Sequence, residues 1–265
     1  IKISQIQFEA KSTPIKNAKT LNDYFDQAIK FKPNLICTPE CSNIITGDKS
    51  YLLKNTNFES DCPVLDMAKI FAKNNKVNIN IGSLLLKKKN SKKLVNRSFL
   101  INKRGLIIKK YDKIHMFDVN ISKTETHRES DMFEGGKNIA FLNLNNVKIG
   151  LTICYDLRFP NLFRELAKKG SEIILMPAAF TVPSGKAHWE ILLRARAIEN
   201  SLFIIATNMC GTHHTNRKTY GHSMLINPWG EKVSQAKSKQ SILNTLINLE
   251  EVIKARKKIP AILND

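Results

Sequence analysis

The sequence predicts an α/β protein whose sheets are covered by helices, and three observations carry that prediction. Short apolar runs of β type alternate along the chain with segments whose apolar residues recur every three to four positions, the two periodicities of a strand and of an amphipathic helix. Extra strand-like runs joined by short polar stretches add hairpins to the alternation, so helices are expected on sheets rather than on one another. Finally, no Gly/Ser/Pro-rich linker and no fixed-period repeat divides the 265 residues, so one domain spanning 1–265 is expected. A chain of this size buries about three quarters of its unfolded surface.

Taken in order, residues 1–8 are a β run that changes phase near Gln5, and Ile15, Ala18, Leu21, Phe25, Ala28 and Ile29 follow at helical spacing. Residues 35–37 give a second strand, and Pro63 opens a second helix on Val64, Met67, Ala68 and Phe71, with Asp61 as its expected cap. Val77, Ile79 and Ile81 alternate with Asn78 and Asn80, and further strands are expected at 94–101, 106–109 and 140–144. The lysine-rich run at 87–93 reads as a hairpin loop between two of them. Beyond residue 160 the pattern predicts a helix to 169 stopped by Gly170, a strand at 172–176, and a helix at 187–200 with Ile191, Arg194, Ala195 and Ile198 in step. Strands at 202–207, 220–227, near Val233 and at 241–247 precede a last helix at 249–257.

Composition narrows the partners. A formal net charge of +19 ordinarily suggests a polyanion, but the lysines are scattered and no stacking aromatics interleave with them, so no nucleic-acid partner is expected. Abundant Lys, Asn and Ile together are the residues of A/T-rich codons, and the charge can still steer acidic substrates. Five cysteines without a secretory leader argue against a disulfide framework and for the cytoplasm, and no apolar stretch long enough to span a bilayer implies a membrane.

The most informative stretch is 147–160, V-K-I-G-L-T-I-C-Y-D-L-R-F-P, where an apolar strand breaks at Cys154 into a charged turn. A thiol at such a handover sits at a nucleophile elbow, although a buried filler cysteine is an equal reading of this stretch alone. Two further segments could supply partners: L-I-C-T-P-E, a short strand ending in Glu40, and K-Y-D-K-I-H-M-F, which sets Lys113 among aromatics. A cysteine nucleophile works only if something removes its proton, something holds the charge that develops and something protonates the leaving group, so only such partners decide between the two readings. Enclosure is expected to raise the Glu40 carboxyl toward neutrality.

In order and in surrounding residues these segments resemble the Glu-Lys-Cys triad of the carbon-nitrogen hydrolase (nitrilase) superfamily. R-E-S at 128–130, P-A-A-F-T at 177–181, G-K-A-H-W-E at 185–190, R-A-R-A-I-E-N at 194–200, Y-G-H-S-M at 220–224 and N-P-W-G at 227–230 extend the resemblance over nearly the whole chain. The resemblance implies a four-layer α-β-β-α sandwich, a thioester intermediate, no cofactor and a homodimer joined through helices, including the one after Cys154. It also implies an oxyanion held by Lys113 and the backbone N–H of Tyr155, and a second glutamate, Glu129, that orients the lysine; Glu134 reads as part of a turn.

For substrate contacts the expected residues are Tyr155, Arg158, Phe180 and Ser184. Arg158 is the candidate grip for a carboxylate, because a guanidinium holds it bidentately. Asp156 and Arg158 read equally as a structural ion pair. C-x-x-H-H at 210–214 lacks a further ligand at zinc spacing, so no metal is expected. The branch most resembled hydrolyses amides of short 2-oxo dicarboxylic acids. Within it, the loop at 210–223 favours deaminated glutathione, whose amide joins a 2-oxoglutaryl group to cysteinylglycine. Rival readings are an ω-amidase acting on 2-oxoglutaramate, a nitrilase, a carbamoyl hydrolase and a silent scaffold subunit, the last disfavoured by an intact triad.

Overall fold

The computed structural model describes residues 1–120 and 126–264. Its first half contains β1 (Lys2–Gln7), α1 (Pro14–Ala28), β2 (Leu35–Cys37), α2 (Lys49–Asn55), α3 (Pro63–Asn75), β3 (Asn78–Lys87), β4 (Leu94–Ile101), β5 (Ile107–Asp112), and the short strands β6 (Asp118–Asn120) and β7 (Thr126–Arg128). Its second half contains β8 (Ala140–Leu144), β9 (Val147–Leu151), α4 (Pro160–Lys168), β10 (Ile173–Ala178), the single turn α5 (Val182–Ser184), α6 (Glu190–Asn200), β11 (Phe203–Asn208), β12 (Cys210–Thr212), β13 (Lys218–Tyr220), β14 (Met224–Ile226), β15 (Lys232–Gln235), β16 (Ser241–Leu246) and α7 (Glu250–Lys258).

Two six-stranded sheets, ordered β16-β1-β2-β3-β4-β5 and β15-β14-β11-β10-β9-β8, pack face to face and carry helices on their outer sides. Alternation along each strand explains the layering. Ile173 and Leu175 of β10 enter the layer between the sheets, while Ile174 and Met176 point outward to α4 and α6. On the other sheet Ile6, Ile36, Ile79 and Ile81 meet Leu21 and Phe25 of α1 and Ala68 and Phe71 of α3. The Phe25 and Phe71 rings touch edge to face at 5.1 Å. Each such aromatic contributes roughly 1.5–3 kcal/mol by burial alone. The four-layer α-β-β-α sandwich expected from the resemblance is therefore the observed fold.

Several local expectations change in the folded chain. Asn78 and Asn80 do not face solvent, because β3 is covered on both sides; Asn80 donates to Ser98 Oγ and to the Phe99 carbonyl. Gln5 is likewise buried and ties the sheets together, its amide donating to the Ala206 carbonyl of β11 at 2.9 Å. The residues read in step on α6 are its outer face. Leu193, Arg196, Ala197 and Asn200 are buried, whereas Ile191 and Ile198 are 69% and 50% exposed. Asp61 is not the cap of α3; it lies in a 3-10 turn, and Cys62 takes the N-cap position without a side-chain bond. The 210–223 segment is a hairpin, β12 with β13, rather than a loop.

The site-bearing ends come together because β2, β9 and β10 run parallel to neighbours in their own sheets, so their C-terminal ends share one edge of the sandwich. A bulge in β3 between Ile81 and Leu84 clamps the turn after β2. There Ser83 Oγ accepts from the Cys41 N–H at 3.0 Å, and the Ser83 carbonyl accepts from the Ser42 N–H at 2.9 Å. Gly82 must be glycine, since a Cβ would run into the Thr38 carbonyl and the Pro177 ring.

Candidate active site

Cys154 follows β9 with φ +49°, a left-handed backbone that L side chains rarely adopt, and opens a 3-10 turn to Arg158. That is the sharp handover expected from the sequence. What holds it is Asp156, fully buried, whose carboxylate accepts from the Ile153 N–H at 2.8 Å, the Tyr111 hydroxyl at 2.7 Å and the His115 N–H at 3.2 Å, and pairs with His115 Nδ1 at 2.7 Å. Asp156 therefore braces the cysteine turn against the loop that carries Lys113, and the ion-pair alternative with Arg158 is replaced by this one.

Glu40, Lys113, Glu129 and Cys154 meet in one cleft. Lys113 Nζ lies 3.0 Å from Glu40 Oε1 and 2.9 Å from Glu129 Oε2, and Lys113 and Glu40 are almost wholly buried. Asn96 Nδ2 donates to Glu40 Oε1 and the Ala179 N–H to Glu40 Oε2, each at 2.9 Å, and Cys154 lines the same cleft. Glu129 is held in turn by the Phe117 N–H at 2.6 Å. Glu134 instead pairs with Lys88 at the surface.

The ionisation pattern differs from the sequence expectation for Glu40. Burial pushes its carboxyl up, but the Lys113 ammonium and the hydrogen bonds from Cys154, Lys113 and Asn96 outweigh it and hold Glu40 below its ordinary value. For Lys113 burial works downward, and the carboxylates of Glu129 and Glu40 overcome it, keeping the ammonium well above its usual value. The Cys154 thiol is pushed well up, first by burial and then by the Glu40 charge. At rest the site is thus a carboxylate, an ammonium and a neutral thiol.

The four sit in a cavity of about 770 Å³. Tyr155, Arg158, Phe180 and Ser184, the expected contact residues, all line it. The Arg158 guanidinium lies 5.8 Å from the Tyr155 and Phe180 ring centroids and donates to His188 at 3.2 Å. Ser184 Oγ is shared with Thr181 Oγ1 at 2.8 Å.

The histidines of C-x-x-H-H are dispersed: His213 bonds Thr219 and is lowered to about 4 by burial, and His214 bonds Thr46 and stacks on Tyr51. Among the described residues no group of three His, Cys, Asp or Glu is placed to hold a metal. Sequence reasoning missed Asn96, the Ala179 N–H and Arg217. Ala179 and Arg217 lie in stretches the sequence had singled out, 177–181 and 210–223, but nothing local marked either for a role.

Sandwich and cleft together define the class, a carbon-nitrogen hydrolase with a cysteine in its active cleft. The carbon-nitrogen hydrolase family matches residues 2–257, and the chain belongs to that family. It is 35% identical to the deaminated glutathione amidase of Dictyostelium discoideum over 252 residues, covering 92% of this chain and 86% of that protein. With the deaminated glutathione amidase of Yersinia enterocolitica the identity is 37%, over 86% of this chain and 80% of that one. Among solved structures, the NitFhit protein of Caenorhabditis elegans superposes with a TM-score of 0.93 at 29% identity, covering all of this chain and 64% of that one. No described helix is long and apolar enough to cross a membrane.

Proposed function

We propose that the protein hydrolyses the amide of deaminated glutathione to 2-oxoglutarate and cysteinylglycine, without a cofactor, through a thioester on Cys154. The observation that carries the reading is a buried Glu40 carboxylate paired with a Lys113 ammonium that Glu129 also holds, in the same cleft as Cys154. Glu40 takes the thiol proton while Sγ attacks the amide carbon, and Lys113 with the Tyr155 N–H stabilises the oxyanion. As that intermediate collapses, Glu40 passes the proton to the nitrogen, the C–N bond breaks and the amine departs. A water then occupies the amine's place, Glu40 deprotonates it, attack on the thioester follows, and the acid leaves as the thiol is reprotonated.

The similarity to two deaminated glutathione amidases supports this substrate. So does a cavity large enough for a tripeptide-sized ligand. The test compares deaminated glutathione with 2-oxoglutaramate, a nitrile and a carbamoyl compound at equal concentration. A much larger kcat/KM for 2-oxoglutaramate, with ammonia released, would move the protein to ω-amidase chemistry.

Lys113→Ala is expected to lower kcat by at least about a hundredfold through loss of the oxyanion partner. It should also cost stability, about 3–5 kcal/mol, because two carboxylates lose the cation they share. Steady-state kinetics and urea unfolding read the two effects separately; a mild rate effect would reduce the lysine to scaffold.

The protein is further proposed to work in the cytoplasm as a homodimer, joined through α4 and α6. The exposed Ile191 and Ile198 on the outer face of α6 support that choice. Light scattering at micromolar concentration should give twice the monomer mass, and a monomeric mass would rule the dimer out.

A further inference from the structure

The cavity carries more positive charge than the reaction centre uses. Beyond Lys113 it is lined by Lys49, Arg128, Arg158, Arg217 and Lys218. Lys49 pairs with Asp131 at 3.6 Å, and Arg128 is occupied by the Val119 and His127 carbonyls and by Asn120 Oδ1. Lys218 is exposed on the rim. Arg158 and Arg217, both half-buried, are neither paired with a carboxylate nor tied up by backbone carbonyls among the described residues.

Arg217 is held in place rather than loose on the surface. It closes the β12–β13 hairpin, whose turn residues Thr215 and Asn216 have φ of 65° and 59°, and its carbonyl accepts from the His213 N–H at 2.8 Å. The hairpin is pinned to the segment after Glu40. His214 bonds Thr46 Oγ1 at 3.0 Å and stacks on Tyr51 at 4.2 Å, and Thr215 Oγ1 accepts from the Gly47 N–H at 2.8 Å.

The chemistry assigns the two arginines to different ends of the substrate. Glu40 must protonate the departing nitrogen, so the leaving group lies on the Glu40 side of the cleft. Cys41 is the next residue there, and the hairpin that carries Arg217 is pinned a few residues further on, at Thr46 and Gly47, with Cys41 and Arg217 both lining the cavity. Arg158 lies instead beyond Cys154, over Tyr155 and Phe180.

We propose that Arg217 is a specificity-determining residue that receives a carboxylate on the leaving group, so that the cleft selects amides whose amine product ends in an acid. This rests on Cys154 and Glu40 acting as proposed above. Arg158 would take the acyl-side acid. A charge-assisted pair of this kind typically changes affinity by about 10- to 100-fold.

The test uses wild type, Arg217→Ala and Arg217→Lys on three substrates: deaminated glutathione, its analogue with the glycine carboxylate converted to a carboxamide, and 2-oxoglutaramate. Arg217→Ala should raise KM for the first by about 10-fold or more with kcat nearly unchanged, and should alter the other two by less than about twofold. Lysine should restore part of the loss. Equal losses on all three substrates, or no loss on any, would overturn the assignment.

Binding of cysteinylglycine to Cys154→Ala, with and without Arg217→Ala, reads the same contact without turnover. Affinity should fall at least about 10-fold on adding Arg217→Ala, and equal affinities would sink the proposal. Failure of wild type to hydrolyse deaminated glutathione, with the dipeptide still bound through Arg217, would count against the substrate reading instead.

Discussion

Cys154→Ala is expected to be a folded protein with turnover reduced by at least about 10⁴-fold, the scale seen when a covalent nucleophile is removed. The fold should survive because alanine meets the same left-handed backbone at φ +49° that cysteine already tolerates, and because the turn is braced by Asp156 rather than by the thiol. Cys154→Ser should be nearly as inactive, since a carboxylate held below its ordinary value is a poor base for an alcohol. The wild-type thiol, pushed up by burial and by Glu40, should show no thiolate absorbance near 240 nm at neutral pH relative to the alanine variant. Retention of most of the activity in Cys154→Ala would refute the nucleophile assignment.

Glu40→Gln is expected to abolish both half-reactions, lowering kcat by about 10³-fold or more, because in the proposed mechanism one carboxylate serves as base and acid in each. The amide also disturbs its surroundings. Both Glu40 oxygens accept, from Lys113 and Asn96 on one side and from the Ala179 N–H on the other, and glutamine must turn an NH₂ toward one of those donors. The pH dependence follows from the same geometry. The folded-state pKa of Glu40 is depressed, so its contribution to stability is fully present above the unfolded value of about 4.3 and is lost as pH falls through the depressed one. Urea unfolding should therefore show a gap between wild type and Glu40→Gln that is constant at neutral pH and closes in acid. A gap that widened in acid would contradict the ionised ground state.

Local pattern made part of the fold readable before any contact was known. Pro63 opens α3 where a missing N–H costs nothing, and the buried faces of α1 and α3 follow the 3.6-residue spacing, although Ile15, in step on α1, is 65% exposed. The face of α6 was misread because isoleucine at 191 and 198 gives an apolar stripe whichever way the helix turns, and the side carrying Leu193 and Ala197 is chosen by what packs against it. Trp229 is 51% exposed and lies under the Lys258 ammonium. Helix α2 and the two short hairpins, β6–β7 and β12–β13, have no counterpart in the sequence pattern, being too short for a period to register.

By itself the sequence determined the alternation of strands and helices and singled out the candidate chemistry-bearing residues. Glu40, Lys113 and Cys154 each stand at the end of a strand-like run, and that is a local signal. The tertiary structure decided their charge states and their supports. Glu40 is ionised, against the expectation from enclosure, because Asn96, Lys113 and Ala179 reach it from 56, 73 and 139 residues away in the chain. Burial and neighbouring charge act through distance in space, which spacing along a chain does not encode. For the same reason Arg217, one cation among 42, acquired its assignment only when the hairpin brought it to the cleft.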